Sequence, residues 1–176
     1  MSSDTKFKAL VHYICSQRSS TPDTLGAVKL NKILWLSDLS AYRERGHAIT
    51  HSRYIKREFG PVPARILTTV RDLEKDGVLS VRETNRFGRP KKEYVVHVKA
   101  TPYFLQSDER VIVDRIIDHV CDDHTAASVS EATHDHIWRA AEDGEEIPLF
   151  TVFAKPGKIT DMEREWARMK IVSETE

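Results

Sequence analysis

The chain has 176 residues, 40% hydrophobic and 31% charged, which is enough for one well-buried core and short for two. Its 27 Lys+Arg balance 27 Asp+Glu, no run of about 18 apolar residues occurs, and Cys15 and Cys121 are too few for a disulfide framework. A disordered chain, a membrane span and a disulfide scaffold are set aside, and with no long apolar stretch near Met1 a cytoplasmic protein is expected.

The first element is a helix near Asp4 to Arg18, with Phe7, Leu10, Val11, Ile14 and Cys15 at helical spacing. A polar loop with Pro22 follows, then a helix over about Leu25 to Arg45 closed by Gly46. Leu30, Ile33, Leu34, Trp35, Leu36 and Leu39 cover more than one face of that helix, so it belongs inside the protein. Glu58-Phe59-Gly60-Pro61 stops the backbone, and Pro61 or Pro63 suits the first turn of a helix near Val62 to Asp76, which ends on Gly77. Apolar alternation at Leu79 and Val81, and again at Tyr94, Val96 and Val98, around the turn cluster Asn85 to Pro90, predicts a β-hairpin. A second helical half opens at Ser107, with Ile112, Ile116, Ile117 and Val120 as its stripe. A short helix is expected over Val129 to Ala141, and a last one from Thr160-x-x-Glu163 carrying Met162, Trp166 and Met169. The fold class is mainly α: a single compact helical domain with one wing-like β-hairpin between two helical halves.

Charge is unevenly spread. Residues 1–99 hold 19 Lys+Arg against 10 Asp+Glu, and residues 100–176 hold 8 against 17. Either the basic half offers a contact face, or the halves pack together and neutralise each other. We expect the basic half to make the partner contacts. Helix, Gly77, strand, basic tip, strand is also the order at the end of a winged helix-turn-helix, where Arg82, Arg86, Arg89, Lys91 and Lys92 would grip phosphates or an acidic protein. His119, Cys121, His124, His134 and His136 are dense enough to suggest zinc. However, matched ligand pairs are missing, and His119 and Cys121 face different sides of a helix. Ser130, Thr133, His134 and Asp135 offer nucleophile, base and orienter types, but packing of His134 beside Trp138, with its ring on a backbone group, is the simpler reading. Trp35, Trp138 and Trp166 read as core anchors. No metal, cofactor or catalytic residue is expected.

Two blocks carry a resemblance. Lys29-Leu30-x-Lys32-Ile33-Leu34-Trp35 is followed by Gly46 and Ile49, and then by Tyr54 with Gly60-Pro61-Val62. Far downstream lie Val129-Ser130-x-x-Thr133-His134, Trp138 and Gly144-x-x-Ile147-Pro148. Together they resemble the Panacea (SocA-like) antitoxin domain, a prokaryotic and phage-associated family, with Val129 in place of the usual Leu. The resemblance implies one antitoxin domain over residues 1–155, with a C-terminal helix over 156–176 packed on it or extending from it. It also implies a protein that is not an enzyme and that binds a toxin encoded by an adjacent gene. At least one family member hands its toxin to an AAA+ protease as an adaptor. DNA is the alternative partner, through the wing. The candidate toxin-binding residues are Arg53, Tyr54, Lys56, Arg57, Glu58, Phe59, Arg86, Arg89, Lys91 and Lys92.

Overall fold

The computed structural model describes residues 3–86, 88–154 and Met162, without the side chains of Arg86 and Arg89. The expected helix carrying Trp166 and Met169, and the division at residue 156, lie outside the described residues. Helix α1 (Ser3–Gln17) and a 3-10 turn at Pro22–Thr24 lead into α2 (Ala27–Arg45), whose left-handed Gly46 stops it as expected. Two four-residue strands follow, β1 (Tyr54–Arg57) and β2 (Gly60–Pro63), and then α3 (Ile66–Lys75). The predicted hairpin is present as β3 (Leu79–Arg86) and β4 (Arg89–Val96), joined at Gly88, which has a positive φ. Helix α4 (Ser107–Asp118) runs into a π turn at His119–Asp123. It is followed by α5 (Ala126–Ala132), α6 (His136–Ala140) and a 3-10 turn at Leu149–Phe153. The chain is mainly α, with its hairpins between the helical halves.

Helix α2 is the centre. Leu30, Ile33, Leu34, Trp35 and Ala41 are buried, and so are its polar residues Lys29, Lys32, Ser37 and Asp38. Helices α1, α4 and α5 and strand β2 pack around it. Asp38 holds the following loop: Thr50 donates to it from both backbone and hydroxyl, and the Tyr54 hydroxyl lies 2.8 Å from its Oδ2 and 2.9 Å from Leu34 O. Burial raises the Asp38 pKa above the usual carboxylate range, against the Thr50 and Tyr54 hydrogen bonds.

Two expectations need correction. Pro61 and Pro63 belong to β2, not to a helix starting at Val62, and α3 begins only at Ile66. The reason is the ladder. Gly144 N donates to Lys56 O, Lys56 N to Glu145 O, and Ile147 N to Tyr54 O, so Tyr54 and Lys56 turn their backbone groups away from β2. Their register partners Pro63 and Pro61 therefore point outward, where a missing N–H loses nothing and leaves an edge poor in donors. The helix expected over Val129 to Ala141 is also two helices. The Thr133 hydroxyl lies against the Val129 and Ser130 carbonyls, and Asp135 opens α6 by accepting from Trp138 N at 2.8 Å.

The uneven charge resolves by pairing across the halves. Lys6 and Arg45 hold Glu109, Arg18 holds Asp118 and Asp122, Arg53 holds Glu146, and Arg57 reaches Asp143. These five cations of the first half are thus met by carboxylates of the second. These bridges differ greatly in worth. Glu109 is 2% exposed, with Lys6 at 2.8 Å and Arg45 at 3.2 Å. Burial works against its charge, but the Lys6, Gln106 and Arg45 bonds outweigh that and hold its pKa below the usual range. Arg53, 71% exposed, pairs with Glu146 in solvent.

Urea unfolding should separate the two pairs. Glu109→Ala is expected to cost roughly 3 kcal/mol, since it strands two half-buried cations around a buried site, whereas Arg53→Ala should cost less than about 1 kcal/mol. The Glu109 contribution is present above the carboxyl's unfolded pKa and fades as pH falls through its lowered folded value. The wild-type advantage over Glu109→Ala should accordingly shrink in acid.

Candidate functional site

The motif blocks that lie far apart in sequence meet at one end of α2. Lys29 and Lys32, one turn apart, both turn inward from it. Lys29 Nζ donates to Cys121 O at 3.0 Å and so satisfies a carbonyl of the π turn. Lys32 reaches under the tip of the β1–β2 hairpin. Its Nζ is buried, the residue is 1% exposed, and the nitrogen has no hydrogen-bond partner among the described residues. Desolvation lowers its pKa to about 7.

Gly60 makes room for this nitrogen. A β-carbon at Gly60 would overlap Lys32 Nζ and lie 3.1 Å from Thr133 Oγ1, and the glycine's φ of 105° is one that side chains disfavour. Gly60 thus serves a close approach between hairpin, lysine and α5. Ser130 Oγ donates to Phe59 O at 3.0 Å, tying the tip to α5, and lies 3.4 Å from His134 Nε2. The His134 ring stacks on Trp138 at 3.6 Å and 7°. It bonds a hydroxyl rather than the expected backbone group. Trp138 donates through Nε1 to Arg57 O at 3.2 Å, and Lys56 Nζ lies over its ring at 4.4 Å while donating to Ala141 O at 2.7 Å. The His134 pKa is lowered by burial first and then by Lys32, with Arg139 and Lys56 adding and Glu131 opposing.

Several expected contact residues are spoken for. Tyr54 is buried, edge-on to Trp35 at 4.9 Å, and is no surface residue. Lys56 caps α6. Lys91 turns back onto Asp23 O and packs its stem over Gly26, so it does not belong to a free wing tip, and Arg82 is paired with Glu93 at 2.8 Å. Lys92 is exposed. Arg53, Arg57, Glu58 and Phe59 are exposed on the β1–β2 hairpin, with Phe59 at 53%. Of the family-motif residues, Leu30, Trp35, Gly60, Pro61, Thr133 and Ile147 are buried, and Val62, Trp138 and Pro148 are partly so. Gly144, with positive φ, turns the chain alongside Arg57.

Of the zinc candidates His119 and His124 meet edge-on at 4.7 Å, and of the catalytic candidates Ser130 and His134 are neighbours while the Thr133 hydroxyl is used on α5 carbonyls. His119 pairs with Asp123 at 2.9 Å, Cys121 is buried, and among the described residues no three or more His, Cys, Asp or Glu are placed to hold a metal. Sequence reasoning missed the tie from Ser130 to Phe59 and the isolation of Lys32. The one available signal was a lysine inside the most apolar run of the chain.

The isolation of Lys32 has a thermodynamic signature. Below pH 7 both folded and unfolded chains carry its proton, and the fold bears the full cost of the buried ammonium. Between about 7 and 10.5 only the unfolded chain holds that proton, so stability rises with pH. Lys32→Met should therefore stabilise the fold by roughly 1–4 kcal/mol at pH 6, with the gain narrowing toward pH 10. Thermal unfolding across that range would show it, and a Met variant less stable at pH 6 would contradict it.

The family model described as "Antitoxin SocA-like, Panacea domain" matches residues 30–139, more than half of the chain. No curated protein and no solved structure gives a match. Because the matched span takes in Lys32, the β1–β2 hairpin and the segment from Ser130 to Trp138 that converge here, and covers most of the chain, the protein belongs to the SocA-like, Panacea-domain antitoxin family.

Proposed function

We propose that this chain is the antitoxin of a toxin–antitoxin pair, and that it neutralises a protein toxin, encoded by an adjacent gene, through direct contact rather than by catalysis. Family membership supplies the functional class. The observation that carries the contact reading is the β1–β2 tip, where exposed Phe59 and Glu58 stand beside Arg53 and Arg57 on a base built from the family's own motif residues. An aromatic side chain flanked by arginines is the composition of an interface anchor. Such a tip would be the centre of an interface burying roughly 1,200–2,000 Å² in total.

The side chains that invite an enzymatic reading are occupied structurally. The Thr133 hydroxyl is used on α5 carbonyls, and His134 is stacked against Trp138. DNA binding through the wing is the weaker reading, since of its three described basic side chains two, Arg82 and Lys91, are engaged within the protein. No helix of the described residues is long and apolar enough to cross a membrane.

Co-expression tests the proposal. The neighbouring gene product should arrest growth alone and be relieved by this chain; a harmless neighbour, or toxicity that persists, would end the antitoxin reading. Phe59→Asp should weaken binding at least about 30-fold by faster dissociation, while Arg57→Ala should mainly slow association and lose its effect in high salt.

A further inference from the structure

Lys32 is a costly residue for its position. A methionine would fill the same space without a donor left unmade, yet the nitrogen sits in a notch that exists only because residue 60 is glycine. We propose that Lys32 Nζ is the socket for a carboxylate carried by the partner protein, entering between the Phe59–Gly60 edge of the hairpin tip and the His134 ring. The inference rests on the antitoxin reading and names the chemistry the partner must bring.

The donor set selects the ligand class. An ammonium has three N–H donors and no acceptor, so its complement is an acceptor, and a carboxylate gives the strongest charge-assisted bond of those a protein carries. The surrounding charges agree. Lys56, Arg139 and His134 face this region. Of the nearby carboxylates, Asp135 is used on Trp138 N, and Glu131 is 77% exposed and lies 3.8 Å from Arg139 and 3.9 Å from His134. Glu131 is turned to solvent and makes no hydrogen bond to Lys32.

The cover over the nitrogen is thin. Gly60 contributes no side chain, and His134 is itself 16% exposed. The tip is fastened to α5 by the Ser130–Phe59 hydrogen bond at 3.0 Å and to α6 by Trp138 Nε1 on Arg57 O at 3.2 Å, and His134 meets the Ser130 hydroxyl only at 3.4 Å. Entry at this edge asks the tip or the His134 ring to give way at the Ser130–Phe59 and Ser130–His134 contacts, which lie at the surface of the fold rather than in its hydrophobic core. Phe59, exposed at the rim, is placed to shield the new ion pair from water once a partner is seated.

Lysine side-chain NMR reads this directly. With ¹³C-labelled lysine in the full chain, Lys32 should titrate at about 7 when free. In the complex with the adjacent gene's product it should move to or above its ordinary 10.5, because a seated carboxylate favours the ammonium. Lys32→Met should fold and bind about 10- to 100-fold more weakly, the range expected for one lost charge-assisted bond. A complex in which Lys32 titrates as in the free chain overturns the proposal and leaves the antitoxin reading standing. So does a Lys32→Met variant that binds like wild type. If no complex forms, the antitoxin reading fails and the proposal with it. Acetate serves as the control for a free carboxylate: a Lys32 shift with acetate on the chain alone, and none in the complex, would overturn assignment of the ligand to a protein partner.

Discussion

The structure depends on strand β1 being held from three sides. Its Tyr54 side chain passes into the core to meet Asp38 and Leu34 on α2, and one backbone edge pairs with β2. The other edge takes Gly144, Glu145 and Ile147 from the far end of the chain. An isolated two-stranded hairpin of four-residue strands is marginal in water. Here the third segment and the buried Tyr54 convert it into a fixed platform. Remove that junction, and α5, α6 and the hairpin tip lose their common footing.

From this junction follows the different fate of two lysines on one helix. Lys29 finds a carbonyl in the π turn that follows α4 and becomes part of the packing between halves. Lys32, three residues on, is directed beneath the hairpin tip, where a glycine backbone makes space and offers no acceptor. Both are desolvated, and burial lowers the pKa of both. Only the first is compensated by a bond. A buried donor left unmade is a stability cost that a chain has no structural reason to keep. Its position amid family-motif residues and beneath the most exposed aromatic of the hairpin makes it the natural place to look for recognition.

The charge pattern shows how far a linear count can mislead. A basic first half and an acidic second half suggest opposite faces, yet the two halves interleave around α2, and their charges meet as Lys6–Glu109, Arg18–Asp122 and Arg53–Glu146. Coulomb attraction acts through space, so chain order carries little information about which charges remain free. On the β1–β2 tip, exposed Phe59 stands with Arg53, Arg57 and Glu58 beside it, a local grouping that the linear charge count does not reveal.

Much of the secondary structure was legible from local rules. Gly46 and Gly77 mark helix ends because they adopt positive φ there, the all-round apolar surface of α2 announced its burial, and alternation with a turn cluster announced β3–β4. The β1–β2 hairpin was not legible, because Pro61 and Pro63 read as strand breakers until the Gly144–Ile147 segment shows which way their backbones face. The break between α5 and α6 was likewise hidden in a pattern that suits one helix as well as two. The sequence alone determined which residues could bury, cap and turn, since those properties depend on neighbours within a few positions. Tertiary structure alone decided that Lys32 would lack a partner, Lys91 would be tied down and Phe59 would stand exposed, because a side chain's partner is set by what distant segments bring beside it.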